Sequence, residues 1–423
     1  MKLNVEPRVA LCDKKLSIFV SEVPPQSKVR IGARMCLPWA KDVMYESAAA
    51  FTADSSGMVD LSKQKPDKGS YDSPDSMGLL VSMKSSEPKA LQKIGRNISI
   101  QDDLAIDLFA ECEGKQDSVT LKRLFKNPEI LSHRISDGFI GEFFYADDPD
   151  RPSVAWIGGS GSNLAINALV AAPLASHGFN VLSLPFFGDP GLPTQLSRIP
   201  LEYFEKAFDW LRNHPVAGKK EIGLVGMSKG AEAALILASC HPYITKVALW
   251  APHAYCFQGI AFKNESYWTF KEKDLPYIRL ENVWVYSNML RGFVTNRPFE
   301  FASVYRKGLA TAQKKESARI RVEDANADLL LLTTKQCGMW NTYDGCAEIM
   351  NTLEKCRYPH AFDLIVYEDA GEPFLVPYVF PVVEDSLKMA PRLTLSLGGT
   401  MQGNCHAWTD SWERTIEFFK NWH

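Results

Sequence analysis

Residues 222–239 read IGLVGMSKGAEAALILAS, and no other stretch restricts the architecture of this chain as strongly. A short apolar run leads into Gly226-Met227-Ser228-Lys229-Gly230, and an Ala- and Leu-rich segment follows. That order reads as a buried strand, a tight turn and a helix. Gly226 and Gly230 lack side chains, which lets strand and helix approach closely around the turn. A G-x-S-x-G in this setting is a nucleophile elbow, which exposes a serine hydroxyl at the carboxyl edge of a sheet.

The sequence around the elbow has a matching texture. GFIGEFFYA, SVAWI, FNVLSLPFF, KVALWAP, DLLLLTTK and FDLIVYED read as short apolar strands. LAINALVAAPLASHG and PLEYFEKAFDWLRNH read as helices between them. Alternation of this kind predicts a mainly parallel sheet covered on both faces over residues 133–423. The last helix is expected over DSWERTIEFFKNW, with Asp410 as N-cap and Glu413 three residues on, a capping-box spacing. Residues 254–325 are irregular, aromatic and basic, and read as an insertion or lid. Residues 1–132 differ: LSIFVSEV, KVRIGARMCL, DVMYESAAAFTAD, LAIDLFAEC and DSVTLKRLF are short strands separated by turn clusters, the pattern of a β-sandwich. Nothing in that half carries a chemical signature.

Bulk properties exclude several classes. The net charge of −3 over 423 residues gives no reason to expect a nucleic-acid partner. No apolar run approaches the ~18 residues that span a bilayer. Nine cysteines without regular spacing suit free thiols in a reducing compartment, and with no recognised targeting signal the expected location is cytoplasmic. No spacing typical of a metal site is present, and no cofactor is called for. Oligomeric state is not legible.

The chemistry centres on Ser228 as nucleophile. The backbone N–H of Lys229, at the start of the helix, is placed to stabilise an oxyanion. A second donor is expected from the glycine loop after SVAWI, at Gly159, Ser160 or Gly161. This loop lacks the G-x-x-x-x-G-K-[ST] and G-x-G-x-x-G spacings of nucleotide sites.

The chain resembles the acyl-CoA thioesterases related to bile acid-CoA:amino acid N-acyltransferase. LCDKKLSIFV and DSMGLLVSM resemble the family's N-terminal segments; PLEYFEKAFDWLRNHP with IGLVGMSKGAE, VPYVFP at 376–381 and DSWERTIEFF resemble its C-terminal ones. The resemblance implies an all-β sandwich N-terminal domain followed by an α/β-hydrolase domain with a mostly parallel sheet. It also implies an acyl-CoA or acyl ester substrate, cleaved to free fatty acid and CoA. The acyltransferase branch uses a cysteine nucleophile, so serine at 228 favours a hydrolase. A Ser-Asp-His triad is implied too, but LLLTTKQCGMWN carries Gln336 and Cys337 at the acid position, and EDAGEPFLVPY carries Glu372 where the histidine belongs.

A serine hydroxyl needs a positioned base. Glu372 would have to be raised by burial from its ordinary ~4.3 to serve well. His253, after KVALWAP, and His406, expected just before the last helix, lie at the right edge of the sheet to substitute. His177, His214 and His360 precede strands at the opposite edge, His133 and His241 lie elsewhere, and His423 is terminal. Asp328, Asp363 and Asp369 flank late strands, Asp369 alone near a carboxyl end. Lys271, Lys273, Arg279, Arg291, Arg297, Arg306 and Lys307 are candidates for a CoA phosphate or plain surface charges. Three readings remain: a thioester hydrolase, weakened by the changed triad; a catalytically inert acyl-CoA-binding or regulatory protein; and a different serine-dependent acyl transfer or esterase reaction with a rebuilt base.

Overall fold

A computed structural model describes residues 1–87, 95, 97–217, 220–260, 263–372, 376–380 and 386–422. The chain divides into two compact units, Met1–Asn127 with Val376–Val382, and Pro128–Leu375 with Val383–His423. Residues 376–380 return to the first unit because they are apolar: Val376, Tyr378 and Val379 are buried, and the Phe380 ring packs edge-on to Trp39 at 6.1 Å.

The first unit is a β-sandwich. A three-stranded sheet holds Lys2–Glu6, Ser17–Ser21 and Val59–Asp60. A six-stranded sheet runs Val9–Leu11, Lys115–Leu124, Leu104–Cys112, Lys28–Leu37, Ala40–Thr52 and Lys68–Gly69 in that spatial order. In Lys28–Leu37, Val29, Ile31, Ala33, Met35 and Leu37 point inward while Arg30 and Arg34 face out. That period of two makes a sheet with one covered face.

The second unit is built on an eight-stranded sheet whose strands are β1 (Leu131–Ile135), β2 (Gly141–Tyr145), β3 (Ser153–Ile157), β4 (Asn180–Leu184), β5 (Ile222–Met227), β6 (Ile244–Trp250), β7 (Asp328–Thr334) and β8 (Phe362–Tyr367). Their spatial order is β1-β2-β4-β3-β5-β6-β7-β8, antiparallel only at β1–β2 and β2–β4. This is the α/β-hydrolase topology, with β5 and its elbow in mid-sheet. The central strands are buried on both faces, which is why they read as continuous apolar runs.

The helices follow their periodicity. In α1 (Leu164–Ser176) the Asn163 side chain accepts from the Ile166 N–H at 2.9 Å and closes the N-terminus. In α2 (Glu202–Asn213), Phe204, Ala207, Phe208 and Leu211 form the buried stripe. Helix α3 (Lys229–Cys240) is buried over its first ten residues, beside β5 and β6.

The irregular reading of 254–325 is corrected. It contains a hairpin, Trp268–Phe270 with Lys273–Asp274, that pairs with Ile199–Pro200. It also contains α4 (Asn282–Thr295), α5 (Ala302–Thr311) and two 3₁₀ turns, Lys315–Ala318 and Val322–Asp324. Strands of two or three residues leave no periodicity to read, and only Gly292 of α4 is fully buried.

Helix α6 (Thr342–Cys356) precedes β8, and α7 (Met401–Lys420) ends the fold. The predicted start of α7 at Asp410 is wrong by more than two turns. Thr400 is the cap, its hydroxyl accepting from the Gly403 N–H at 3.0 Å. Asp410 sits in mid-helix, paired with Arg414 and accepting from the Tyr367 hydroxyl at 2.8 Å. The buried stripe of α7 includes Asn404, Ser411 and Thr415, polar residues that hide the apolar period from the sequence. Among the described residues no helix is long and apolar enough to cross a membrane.

Candidate active site

The elbow is steric in origin. A Cβ on Gly226 would lie 2.6 Å from the Gly230 carbonyl oxygen, and one on Gly230 would lie 2.1 Å from that of Ile157. Only glycine fits either place. Between them Ser228 adopts φ 52°, ψ −118°, a strained conformation for a residue with a side chain, and its N–H donates to the Trp250 carbonyl at 2.8 Å. Lys229 opens α3, so its N–H has no acceptor within the helix.

The Lys229 side chain turns inward. Its Nζ lies 2.6 Å from Glu232 Oε2 in a fully buried pair. Phe257, Tyr267 and Trp340 surround the ammonium with ring centroids at 4.9–5.1 Å, while the Trp268 indole N–H donates to Glu232 Oε1 at 2.8 Å. Burial pushes the Glu232 carboxyl above the usual carboxylate range, against the pull of Lys229. The Tyr267 hydroxyl also pairs with Ser160 Oγ at 3.2 Å. One aromatic ring thus braces both the helix start and the glycine loop. Sequence reading missed this cage; the i,i+3 pair Lys229 and Glu232 was its one visible sign.

Of the loop residues, Gly159 meets the serine: a Cβ there would lie 3.4 Å from Ser228 Cβ. The Ser160 side chain is committed to Tyr267, and a Cβ on Gly161 would meet nothing within 4 Å. Gly159 is therefore the loop residue placed beside Ser228.

Glu372 lies five residues beyond β8 and Cys337 three beyond β7, at the same carboxyl edge as Ser228. The Glu372 carboxylate accepts from Cys337 Sγ at 3.2 Å, and the Ser228 side chain also interacts with it. Its backbone N–H donates to Leu397 O at 3.0 Å, and that of Gly371 to Asn404 Oδ1 at 2.8 Å. The close approach needs glycine again, since a Cβ on Gly371 would sit 2.2 Å from the Gly398 carbonyl oxygen.

Burial raises the Glu372 carboxyl, and its interactions with Cys337 and Ser228 oppose that rise. Burial and the adjacent carboxylate push the Cys337 thiol well up, so it remains S–H and donates. The backbone amides of Met339 and Trp340 oppose that rise.

The other candidates lie apart from this chain of contacts. Gln336 turns outward and donates to Asp369 Oδ1 at 3.2 Å. His253 is buried among Tyr255, Phe257 and Trp340, its Nδ1 accepting from the Tyr255 N–H at 3.2 Å. Burial, with Lys229 and Lys315 nearby, lowers it to about 3, so it stays neutral. His406 lies within α7 rather than before it, exposed, its ring 5.8 Å from that of Tyr367. His423 lies outside the described residues. Arg279 and Arg306 pair with Glu281 and Glu300, Lys271 covers the Phe270 ring, and Arg291, Arg297 and Lys307 are exposed.

This geometry has relatives. Residues 13–137 match the family described as Acyl-CoA thioester hydrolase/BAAT N-terminal region, and residues 199–422 match BAAT / Acyl-CoA thioester hydrolase C terminal. The chain belongs to this family. Acyl-coenzyme A thioesterase 2, mitochondrial, of Mus musculus is 26% identical over 424 residues, 99% of this chain and 88% of the relative. Acyl-coenzyme A thioesterase 1 of Homo sapiens is 26% identical over 429 residues, 99% of this chain and 96% of the relative. Acyl-coenzyme A amino acid N-acyltransferase 1 of Mus musculus is 30% identical over 252 residues, 56% of this chain and 58% of the relative. The family's thioester hydrolase and acyltransferase branches thus both lie within reach of this sequence, and residue 228 is a serine.

Proposed function

We propose that this protein hydrolyses acyl-CoA thioesters, with Ser228 as nucleophile, Glu372 as the base, and Cys337 as the donor that positions Glu372. The observation that carries the reading is the chain of contacts from the Ser228 hydroxyl to Glu372 to the Cys337 thiol. Full-length similarity to proteins named acyl-CoA thioesterases supports the substrate class.

In the first step Ser228 Oγ attacks the thioester carbonyl carbon while its proton passes to the Glu372 carboxylate. The carbonyl oxygen becomes an oxyanion facing the Lys229 and Gly159 amides. Collapse breaks the C–S bond, and the CoA thiolate departs, taking the proton from Glu372. Water then attacks the acyl-serine, giving its proton to Glu372, and Ser228 Oγ leaves and recovers it. A thioester suits this apparatus. A thiol leaving group has an ordinary pKa of ~8.5, so it departs without the strong proton donor that an amine or alcohol demands. A carboxylate of modest basicity is then sufficient, more so when burial raises it.

One observation favours the inert alternative, a binder of acyl-CoA: burial raises the Glu372 carboxyl, and once protonated it can take no further proton from Ser228. Incubation of the protein with acyl-CoAs of graded length, alongside a fluorophosphonate probe, separates the two. Turnover and labelling that vanish in Ser228→Ala support the hydrolase; retained acyl-CoA affinity with neither turnover nor labelling leaves the binder.

A further inference from the structure

Helix α4 carries its apolar side outward. Val283, Leu290, Phe293 and Val294 are 64%, 62%, 47% and 63% exposed, and Tyr286 is exposed beside them. At about 100° per residue these five positions fall within an arc of roughly 100° on the helix. The opposite side is thinly held. Gly292 packs on Phe299, Met289 joins the small cluster of Phe299, Leu395 and Leu397, and Asn288 donates to the Glu300 carbonyl. A stripe this wide and this apolar is what a helix normally buries against a core.

Cations border the stripe. Arg291 lies on the helix beside it, and Arg297 follows just past the helix end. The adjacent hairpin, Ser386–Ala390 with Leu393–Ser396, adds Lys388 and Arg392 and an exposed Met389. Arg392 reaches over the Phe293 ring at 5.5 Å and donates to the Val294 carbonyl at 3.4 Å, which ties hairpin and helix into one surface. Residues 282–297 and 386–396 together hold these four cations and no Asp or Glu; Glu384 and Asp385, which precede the hairpin in sequence, lie outside the described residues. The acids bounding the helix are engaged by their own partners: Glu281 by Arg279 at 3.1 Å and Glu300 by Arg306 at 3.0 Å.

We propose that the outward face of α4 and the 386–396 hairpin dock the protein on an anionic lipid bilayer. Apolar side chains enter the headgroup–acyl boundary and the surrounding arginines and lysine meet lipid phosphates. A neutral apolar partner would have no use for the rim, and an aqueous anion none for the stripe. The inference stands independently of catalysis at Ser228.

Vesicle flotation of the full chain tests it, using phosphatidylcholine alone and phosphatidylcholine with roughly one-third phosphatidylserine, near the composition of anionic leaflets. The expected result is flotation with the serine lipid only, falling as salt is raised. Leu290→Ser with Phe293→Ser abolishes flotation, and Arg291→Gln with Arg297→Gln weakens it by about 25-fold, at about fivefold per arginine. These residues are exposed, and an unchanged circular dichroism spectrum verifies the fold of each variant. Absence of flotation with anionic vesicles, or flotation that survives both double variants, overturns the proposal. So does a dimer in sedimentation velocity that Leu290→Ser dissociates, since the face then belongs to a second copy of the chain.

Discussion

Replacing Glu372 by glutamine is the sharpest test of the proposed chemistry, because it changes one oxygen for one NH₂ and leaves the shape of the site intact. The carboxamide oxygen still accepts from Cys337, and the Leu397 and Asn404 contacts that hold this turn are made by backbone atoms. What disappears is the ability to take a proton. General-base assistance contributes about 10²–10⁴-fold, so kcat for acyl-CoA hydrolysis falls by that factor while KM stays within a few-fold. The loss stops short of total because the Lys229 and Gly159 amides remain, and such elements alone leave ~10³–10⁴-fold over water. Release of CoA thiol, read with a chromogenic disulfide, gives the rate. The pH profile gives a second, independent reading. Glu372 is raised by burial, so wild-type kcat/KM climbs with pH through an apparent value above that of a free glutamate and then levels, whereas the Gln variant is flat over that range. Stability carries the opposite sign. A group whose folded pKa is raised stabilises the fold at acid pH and loses that contribution as pH rises through the folded value. Glu372→Gln is therefore as stable as the wild type or more so at mildly alkaline pH, and the difference closes on acidification. A variant that keeps wild-type rate and wild-type pH profile refutes the assignment of Glu372 as base.

Other outcomes follow from the same contacts. Cys337→Ala removes the donor that lowers the Glu372 carboxyl, so the rising limb of the pH–rate profile moves to higher pH, while Cys337→Ser, which restores an O–H donor, moves it back. Ser228→Gly abolishes turnover but raises stability by about 0.5–1 kcal/mol in chemical denaturation, because the positive φ no longer opposes a side chain. Gly230→Ala forces a methyl to 2.1–2.3 Å from two backbone carbonyl oxygens and destabilises by about 1–3 kcal/mol or more, measurable as a lowered Tm. Glu232→Gln leaves the Lys229 ammonium buried without its counter-charge and costs about 3–5 kcal/mol, read in the same melt.

Legibility in the sequence tracked how local each constraint is. The elbow was readable because its two glycines, the strand before and the helix after are contiguous, and each acts on its neighbours. The sheet was readable because its strands are buried on both faces and therefore apolar throughout. Glu372 and Cys337 could be placed only through family resemblance: they lie 35 residues apart, and nothing in either segment signals that a thiol meets a carboxylate. The cage around Lys229 escaped for the same reason, since Phe257, Tyr267, Trp268 and Trp340 converge from separate segments. The start of α7 escaped for the reverse reason. Its inner face is partly polar, with Thr415 accepting from the Trp250 indole at 2.9 Å, so periodicity failed where the structure is regular. Helix α4 reads as irregular because Trp284, Val285 and Met289 add apolar residues off its exposed stripe and blur the period.

The thiol–carboxylate pair also bears on how the site can be changed. Cys337 donates to Glu372 at 3.2 Å in a buried place, so the order of Cys337→Asp and Glu372→His matters. Aspartate first would put two carboxylates side by side in a buried site. Glu372→His first pairs an imidazole with a neutral thiol and avoids that repulsion. Of the two single changes Glu372→His is therefore expected to lower Tm less than Cys337→Asp, and the double variant tests whether the order matters.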